Sequence, residues 1–229
     1  MKILGLVCCR GGSRGVVGKA LREINGKTLV DYAVADAVNL DAFDLILTAS
    51  DSEEIVDSTG TRIFVLPDYL TQDDSPKWKT FQYILTKLSE EREFGEEEVS
   101  ILVDLDVGTP LRKPEDIAIC ILKLIQGNYD VVCTAYEADR NPYFNMVEVT
   151  NGKVQVVKQL AEPTTNRQQA PKVYALSPAV YAIKREALFK YDHWSQANLG
   201  IHVIPRERAW DIDTELDLKI VKFLMEGKP

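Results

Sequence analysis

Apolar residues recur along the chain in two periods, and the alternation between them predicts most of the elements. Lys2 to Cys9 is almost continuously apolar, as expected of a strand buried on both faces. Leu29, Ala33, Val34, Ala37 and Val38 stand at helical spacing and predict a helix over 29–40. Asp44 to Ala49 reads as a second strand, closed by Ser50-Asp51, where Asp51 or Ser52 can cap a short helix through Val56. Arg62 to Leu66 reads as a third. Strand, helix, strand, helix, strand is the order of a parallel sheet with right-handed crossovers.

The pattern continues past a polar loop from Pro67 to Pro76. Trp78, Phe81, Ile84, Leu85 and Leu88 make one face of a helix, and Glu90 to Glu93 with Glu96 to Glu98 form a solvated acidic stretch. Val99 to Leu105 predicts a fourth strand. Pro114 suits the first turn of the next helix, with Glu115 and Asp116 at its positive end and Ile117, Cys120, Ile121, Leu124 and Ile125 as its apolar stripe. After Gly127 strands follow over 130–136, 143–150 and 153–157, the last two joined by Asn151-Gly152, a hairpin signal. A strand over 173–183 is expected to be broken, or to lie at an edge, at Pro178. Ile201 to Ile204 is the last strand. Thr214 with Asp217 resembles a capping box, and Leu216, Ile220, Phe223 and Leu224 are expected to face inward on the final helix.

Composition narrows the classes. A chain of 229 residues suits one α/β domain, with 139–172 as a hairpin extension. The net charge of −8, without any basic run or face, argues against nucleic acid as the main partner. Ile3 to Val7 is too short for a secretory signal and runs straight into Arg10, and no apolar run approaches membrane-spanning length. Cys8, Cys9, Cys120 and Cys133 lack paired metal spacing and read as small buried residues of a protein in the reducing cytoplasm.

The candidate chemistry begins at Arg10-Gly11-Gly12-Ser13-Arg14-Gly15-Val16-Val17-Gly18-Lys19, between the first strand and the first helix. Glycines let backbone N–H groups approach a ligand, successive N–H groups form an anion site, and Arg10, Arg14 and Lys19 add positive charge. The natural guest is a polyphosphate. No Gly-Lys-Ser/Thr closes the loop, and the G-x-G-x-x-G order is absent, so neither common nucleotide fingerprint applies. Glycine-rich turns after a first strand also occur without ligands. Asp211-Ile212-Asp213 is the second constellation: in an extended segment its two carboxylates point to one side and suit Mg²⁺. For Asp213, helix capping is the competing role. Asp104 and Asp106 form another D-x-D, able to hold a metal or to accept from a ribose or sugar hydroxyl, and a plain strand-end role for Asp104 competes equally. Arg167-Gln168-Gln169, with Arg140 and Asn141 upstream, could grip a carboxylate, or could be ordinary surface loop.

Together these residues resemble the acylneuraminate cytidylyltransferases, the CMP-sialic acid synthetase family. The run from Arg10 to Lys19 is similar to that family's nucleotide-binding signature. Thr109-Pro110-Leu111-Arg112, Arg167-Gln168-Gln169 and Asp211-Ile212-Asp213-Thr214-Glu215-Leu216-Asp217-Leu218 look like further family blocks, in the family's order and spanning nearly the whole chain. The stretches from Ile101 to Asp106 and from Arg140 to Glu148 look more like the branch that acts on legionaminic acid. The resemblance implies a three-layer α/β/α Rossmann-like, GT-A-like nucleotidyltransferase fold, with a mainly parallel sheet and a small β-hairpin extension used for a dimer contact. It implies CTP over the first loop, with Arg10, Gly11, Gly12, Ser13, Arg14, Lys19, Lys77 and Asp106 as nucleotide contacts. It implies Mg²⁺ on Asp211 and Asp213, and Arg10, Lys19, Asp211 and Asp213 as the catalytic set. An acidic nine-carbon sugar would meet Asp106, Arg112, Asn141, Arg167, Gln168 and Ser177. An octulosonate-like acid as acceptor, or a nucleotide-binding module without turnover, are the alternatives. Four departures bear on them: Arg14 in place of the family lysine, Ala20 in place of an asparagine, Leu66 in place of an arginine, and Ser177-Pro178-Ala179 in place of an asparagine-containing sugar segment.

Overall fold

The structure, a computed structural model, describes residues 1–13, 15–72, 74–94, 98–162 and 166–227. Arg14, Asp73, Glu96 and Glu97 therefore lie outside the described residues. In chain order the elements are β1 (Lys2–Cys8), β2 (Glu23–Ile24), β3 (Lys27–Thr28), α1 (Leu29–Val38), β4 (Leu45–Ser50), α2 (Glu53–Ser58), β5 (Arg62–Val65), α3 (Lys77–Glu90), β6 (Val99–Asp104), α4 (Pro114–Gln126), β7 (Val131–Glu137), β8 (Val147–Thr150), β9 (Lys153–Val156), β10 (Tyr174–Lys184), α5 (Arg185–Lys190), β11 (Leu199–Val203) and α6 (Glu215–Glu226).

Among the described residues seven strands form one sheet in the order β11-β7-β10-β6-β1-β4-β5. Its neighbouring pairs run parallel except where β10 meets β6 and β7. The chain leaves β1 toward β4 and β5, then returns to lay β6 on the other side of β1. The carboxyl ends of β1 and β6 thus flank the point where the winding reverses, the place where open α/β sheets bind ligands. Helices cover both faces. Val30, Ala33, Ile117 and Ile121 belong to one core, and Trp78, Phe81, Ile84 and Leu85 to the other. This is the three-layer α/β/α arrangement, and β8–β9 stands apart as a two-stranded sheet.

β10 is a central strand, but it pairs with β6 only over 181–184, so Pro178 has β7 alone as strand neighbour. A proline cannot donate to that neighbour, and the register breaks between Ser177 and Tyr181, as expected. Side chains repair the break. The Thr134 hydroxyl accepts from Val180 N–H at 3.1 Å and lies 3.0 Å from the Ser177 carbonyl. The Ser177 hydroxyl accepts from Ala179 N–H and lies 3.3 Å from the Ala209 carbonyl. Arg112 donates to the Ala179 carbonyl at 2.8 Å and to Asp36 at 2.9 Å.

Three smaller expectations also change. The strand expected over 143–150 begins only at Val147, because Asn141 folds 142–145 into a turn that accepts from Phe144, Asn145 and Met146 N–H. Leu216, Phe223 and Leu224 are exposed on α6; Leu218 and Val221 are its buried residues, since the helix docks on the β2–β3 region with the opposite face. The segment after β10 forms the short helix α5, which the apolar pattern did not single out.

Candidate active site

The loop after β1 is built to approach other parts of the chain. Gly18 sits in the left-handed region at φ 62°, letting the backbone turn into the short helical turn that carries Lys19. A Cβ on Gly15 would fall on the carbonyl oxygen of Asp213, so the loop and the carboxy-terminal aspartate segment touch backbone to backbone. Val16 and Ile212, both fully buried, share a third small core with Ile24, Leu29, Leu218 and Val221. The Lys19 ammonium donates to the Ile212 carbonyl at 2.9 Å and lies 3.6 Å from the Asp213 carboxylate. Ile212 N–H in turn donates to the Gly108 carbonyl at 2.9 Å, tying the aspartate segment to the loop after β6. Three sequence-distant stretches therefore meet at one point beyond the carboxyl ends of β1 and β6.

That point is rich in carboxylates. Asp104 and Asp106, two residues apart, turn to one side and grip the Lys77 ammonium, each at 2.9 Å. Desolvation works to lower the Lys77 pKa, but the two carboxylates outweigh it and hold the ammonium well above its ordinary value. Burial would raise Asp106, yet Lys77, Lys19 and the Gly108 N–H bring its carboxyl down to about 2. Asp104 remains raised, because burial outweighs the pull of Lys77. Asp211 is pushed up to about 6, chiefly by burial and then by Asp106, with Lys19 pulling the other way. Its Oδ1 is buried without a hydrogen-bond partner. A Cβ on Gly108 would fall on that same oxygen and come within 3.1 Å of Asp106 Oδ1 and 3.2 Å of Lys19 Nζ, so only glycine leaves this junction open.

The residue that caps α6 is Thr214. Its hydroxyl accepts from Asp217 N–H, and the Asp217 carboxylate accepts from Thr214 N–H at 2.8 Å. Asp213 takes no part in that cap through its carboxylate, which is largely exposed beside Lys19. The competing role for Asp213 is thereby removed.

Arg10, Ser13, Lys19, Lys77 and Asp106 line one cavity of about 230 Å³, with Cys8, Leu66, Leu70, Ser75 and Thr80 among its other walls. Arg10 is turned to the Thr71 carbonyl at 3.3 Å. Gly11 N–H donates to Asp51 at 2.8 Å, while a Cβ on Gly12 would meet nothing within 4 Å. Cys8 is a free thiol driven up to about 12 by burial, so it acts as wall rather than nucleophile. Ala20 is packed in the core, so the amide missing there leaves no gap in this cavity.

Of the expected sugar contacts, Asp106 lines this cavity, while Arg112 and Ser177 are interior residues that bond the bulge of β10. Asn141 is buried too: its amide donates to the Pro171 carbonyl, and its side-chain oxygen accepts from Tyr143 N–H. Arg167 donates to the Ala138 carbonyl at 2.6 Å; with Gln168 and Asn141 it lines a separate cavity of about 430 Å³. Arg14 lies outside the described residues. Gly108, whose bare backbone leaves room for Asp211 beside Asp106 and Lys19, was not singled out in the sequence, although the Asp-x-Asp-x-Gly run leaving a buried strand carries it.

Comparison with known proteins agrees with this geometry. The cytidylyltransferase family profile matches residues 4–227. The chain is 36% identical over 231 residues to the CMP-N,N'-diacetyllegionaminic acid synthase of Campylobacter jejuni, covering 99% of this chain and 96% of that one. It is equally similar, at 36% and the same coverage, to the post-translational flagellin modification protein B of Campylobacter coli. Among solved structures, CMP:2-keto-3-deoxy-manno-octonic acid synthetase complexed with CTP superposes with a TM-score of 0.72 at 16% identity, over 99% of both chains.

The Gly15–Asp213 contact yields a test. Gly15→Ala should push the loop off the aspartate segment and weaken CTP binding by about tenfold or more, since misplacements near 1 Å cost that much in such sites. Calorimetric titration with CTP and Mg²⁺ measures it; unchanged affinity in a folded variant contradicts the described contact.

Proposed function

The chain belongs to the cytidylyltransferase family, and on that premise we infer that it transfers CMP from CTP to the anomeric hydroxyl of an acidic nonulosonate sugar, releasing pyrophosphate. The observation that carries the reading is the meeting of the cationic loop with the aspartate segment around Lys19. The preferred acceptor is legionaminate-like, in line with the name of the 36% identical relative.

The cavity lined by Arg10, Ser13, Lys19 and Lys77 takes the nucleotide. Gly12, with open space over its backbone, lets phosphate oxygens come close. Leu66 and Leu70 offer apolar wall to a flat base. In the reaction the sugar hydroxyl oxygen forms a bond to the α-phosphorus as the bond to the β-phosphate oxygen breaks; the hydroxyl proton passes to a carboxylate of the site, Asp106 or Asp211, and pyrophosphate carries away the electron pair. Lys19 and Arg10 stand where they can balance the charge on the phosphates before and after transfer.

The donor set fits Mg²⁺. Asp104, Asp106, Asp211 and Asp213 are four carboxylates set against two ammonium groups, Lys19 and Lys77. The buried, unpartnered Oδ1 of Asp211 is the kind of oxygen a divalent cation satisfies. Among the described residues no three His, Cys, Asp or Glu converge on one point. A pair of carboxylates is nevertheless what Mg²⁺ uses when phosphate oxygens and water complete its shell. Asp211, with Asp213 or Asp106, would hold it, and when bound it would supply neutralisation of phosphate charge.

The hairpin suggests the assembly. Val147 pairs with Val156 and Val149 with Val154, so four valines share one face of β8–β9, and Val147, Val149 and Val154 are exposed there. A two-stranded ribbon is marginal alone and gains from burying such a face. A second copy of the chain is the proposed occupant. A cytoplasmic site of action accords with four buried free cysteines and with the absence, among the described residues, of a helix long and apolar enough to cross a membrane.

Two measurements test the reading. With Mg²⁺ and a panel of nonulosonates and octulosonates, the protein should release pyrophosphate from CTP and form a product whose mass adds CMP to the sugar. Asp211→Asn should lose at least about a hundredfold of that rate while keeping its fold. CTP binding without release for any acceptor would support the module without turnover; release with octulosonates alone would move the acceptor. For assembly, light scattering at micromolar concentration should report a dimer, and Val149→Glu with Val154→Glu should give a folded monomer. A monomeric wild type would reject the hairpin contact.

A further inference from the structure

The step taken here rests on the reading that the acceptor is an acidic sugar. In the ring form of an α-keto acid sugar, the carboxylate is attached to the anomeric carbon itself. Whatever receives that carboxylate must therefore sit beside the attacking hydroxyl, close to the α-phosphorus. A second cavity lies next to the nucleotide cavity at Asp211. It is about 270 Å³ in volume and is lined by Tyr136, Leu176, Pro178, Arg206, Trp210 and Asp211. The Asp211 Oδ1 lies at the Gly108 turn beside Asp106 and Lys19, and those two residues line the nucleotide cavity, so the two cavities are one residue apart.

Among the residues lining this second cavity, Arg206 is the cation. Its position is built. The turn that carries it, Arg206–Ala209, is anchored by Arg208, which pairs with the buried Asp116 at 3.1 Å. The Arg206 guanidinium lies 5.7 Å from the centre of the Trp210 ring. The Trp210 N–H donates to Asp217 at 3.1 Å, which fixes the ring from the other side. The guanidinium meets the Asp139 carboxylate at 2.6 Å, and both side chains are about half exposed, at 55% and 46%. An ion pair so exposed is weak and exchanges readily. Asp139 thus occupies the position that an incoming carboxylate would take. Arg167, the cation expected for this task, opens instead on a cavity that Asp211 does not line.

We propose that Arg206, stacked over Trp210, receives the carboxylate of the acceptor sugar in exchange for Asp139, and so sets the preference for acidic sugars. A planar fork suits this because it can meet both carboxylate oxygens at once. Trp210 holds the fork from below, and the sugar ring lies between it and Asp211.

The test uses the full chain, with N,N'-diacetyllegionaminic acid and its C1 amide as acceptors. Arg206→Ala should raise the KM for the acid by about 10- to 100-fold, the loss expected for a charge-assisted hydrogen bond, and leave the KM for CTP within about twofold. It should also erase the preference for acid over amide, and Arg206→Lys should restore part of it. Asp139→Asn should lower the KM for the acid several-fold by removing the internal competitor. Unchanged sugar kinetics in Arg206→Ala, or the same loss appearing in Arg167→Ala alone, would overturn the assignment while leaving the cytidylyl transfer intact. A wild type inert toward every acidic sugar would overturn the parent reading and this assignment with it.

Discussion

The docking of the loop after β1 onto the segment around Ile212 is the contact on which the site depends. It is made in three chemically different ways. Val16 and Ile212 bury apolar surface together, Gly15 allows the two backbones to touch, and Lys19 bonds the Ile212 carbonyl. Each component alone is modest. Together they join the first loop of the sheet to the last residues before α6, nearly 200 positions later in the chain. Without that join the positive loop and the aspartates would be two unrelated surface features. With it Lys19, which lines the cavity of the loop, is set directly against Ile212 and Asp213 and lies beside Asp211 at the Gly108 turn.

The charges in the cleft are arranged rather than merely abundant. Lys77 is committed to Asp104 and Asp106, which leaves Asp106 ionised over a wide range and the lysine firmly charged. Asp211 is in the opposite condition, buried, elevated to about 6 and with an oxygen unpartnered. Among the described residues, Asp104 Oδ1 and Asp211 Oδ1 are the buried carboxylate oxygens without a partner, and the proposed Mg²⁺ would satisfy that of Asp211.

Much of this was legible in the order of residues. Continuous apolar runs and 3.6-residue stripes mark the strands and helices because this sheet is covered on both sides, and Asn151-Gly152, both at positive φ, makes the hairpin turn it signals. That the first loop and the aspartate segment come together was also an expectation from the sequence, and the Lys19 contacts to Ile212 and Asp213 show the two in contact. What misled was burial of polar residues. Arg112 and Ser177 look like ligand contacts in one dimension, yet they exist to repair the gap that Pro178 opens in a central strand. That requirement is invisible until β10 is known to lie between β6 and β7. Arg206 was missed for the converse reason. A lone surface arginine carries no signal until Trp210 and Asp211 are placed beside it. The inward face of α6 was misassigned because Leu216 and Phe223 follow the same period as Leu218 and Val221, about half a turn of phase away.

The most direct test of the shared cleft is a double-mutant cycle on CTP affinity in the presence of Mg²⁺, combining Lys19→Met with Asp211→Asn. Residues serving one ligand through one site should couple, so the double variant should lose less than the sum of the single losses, by about 1 kcal/mol or more. Losses that add to within about 0.5 kcal/mol would mean that the loop and the aspartate segment act independently, and the account of a single cleft would be wrong.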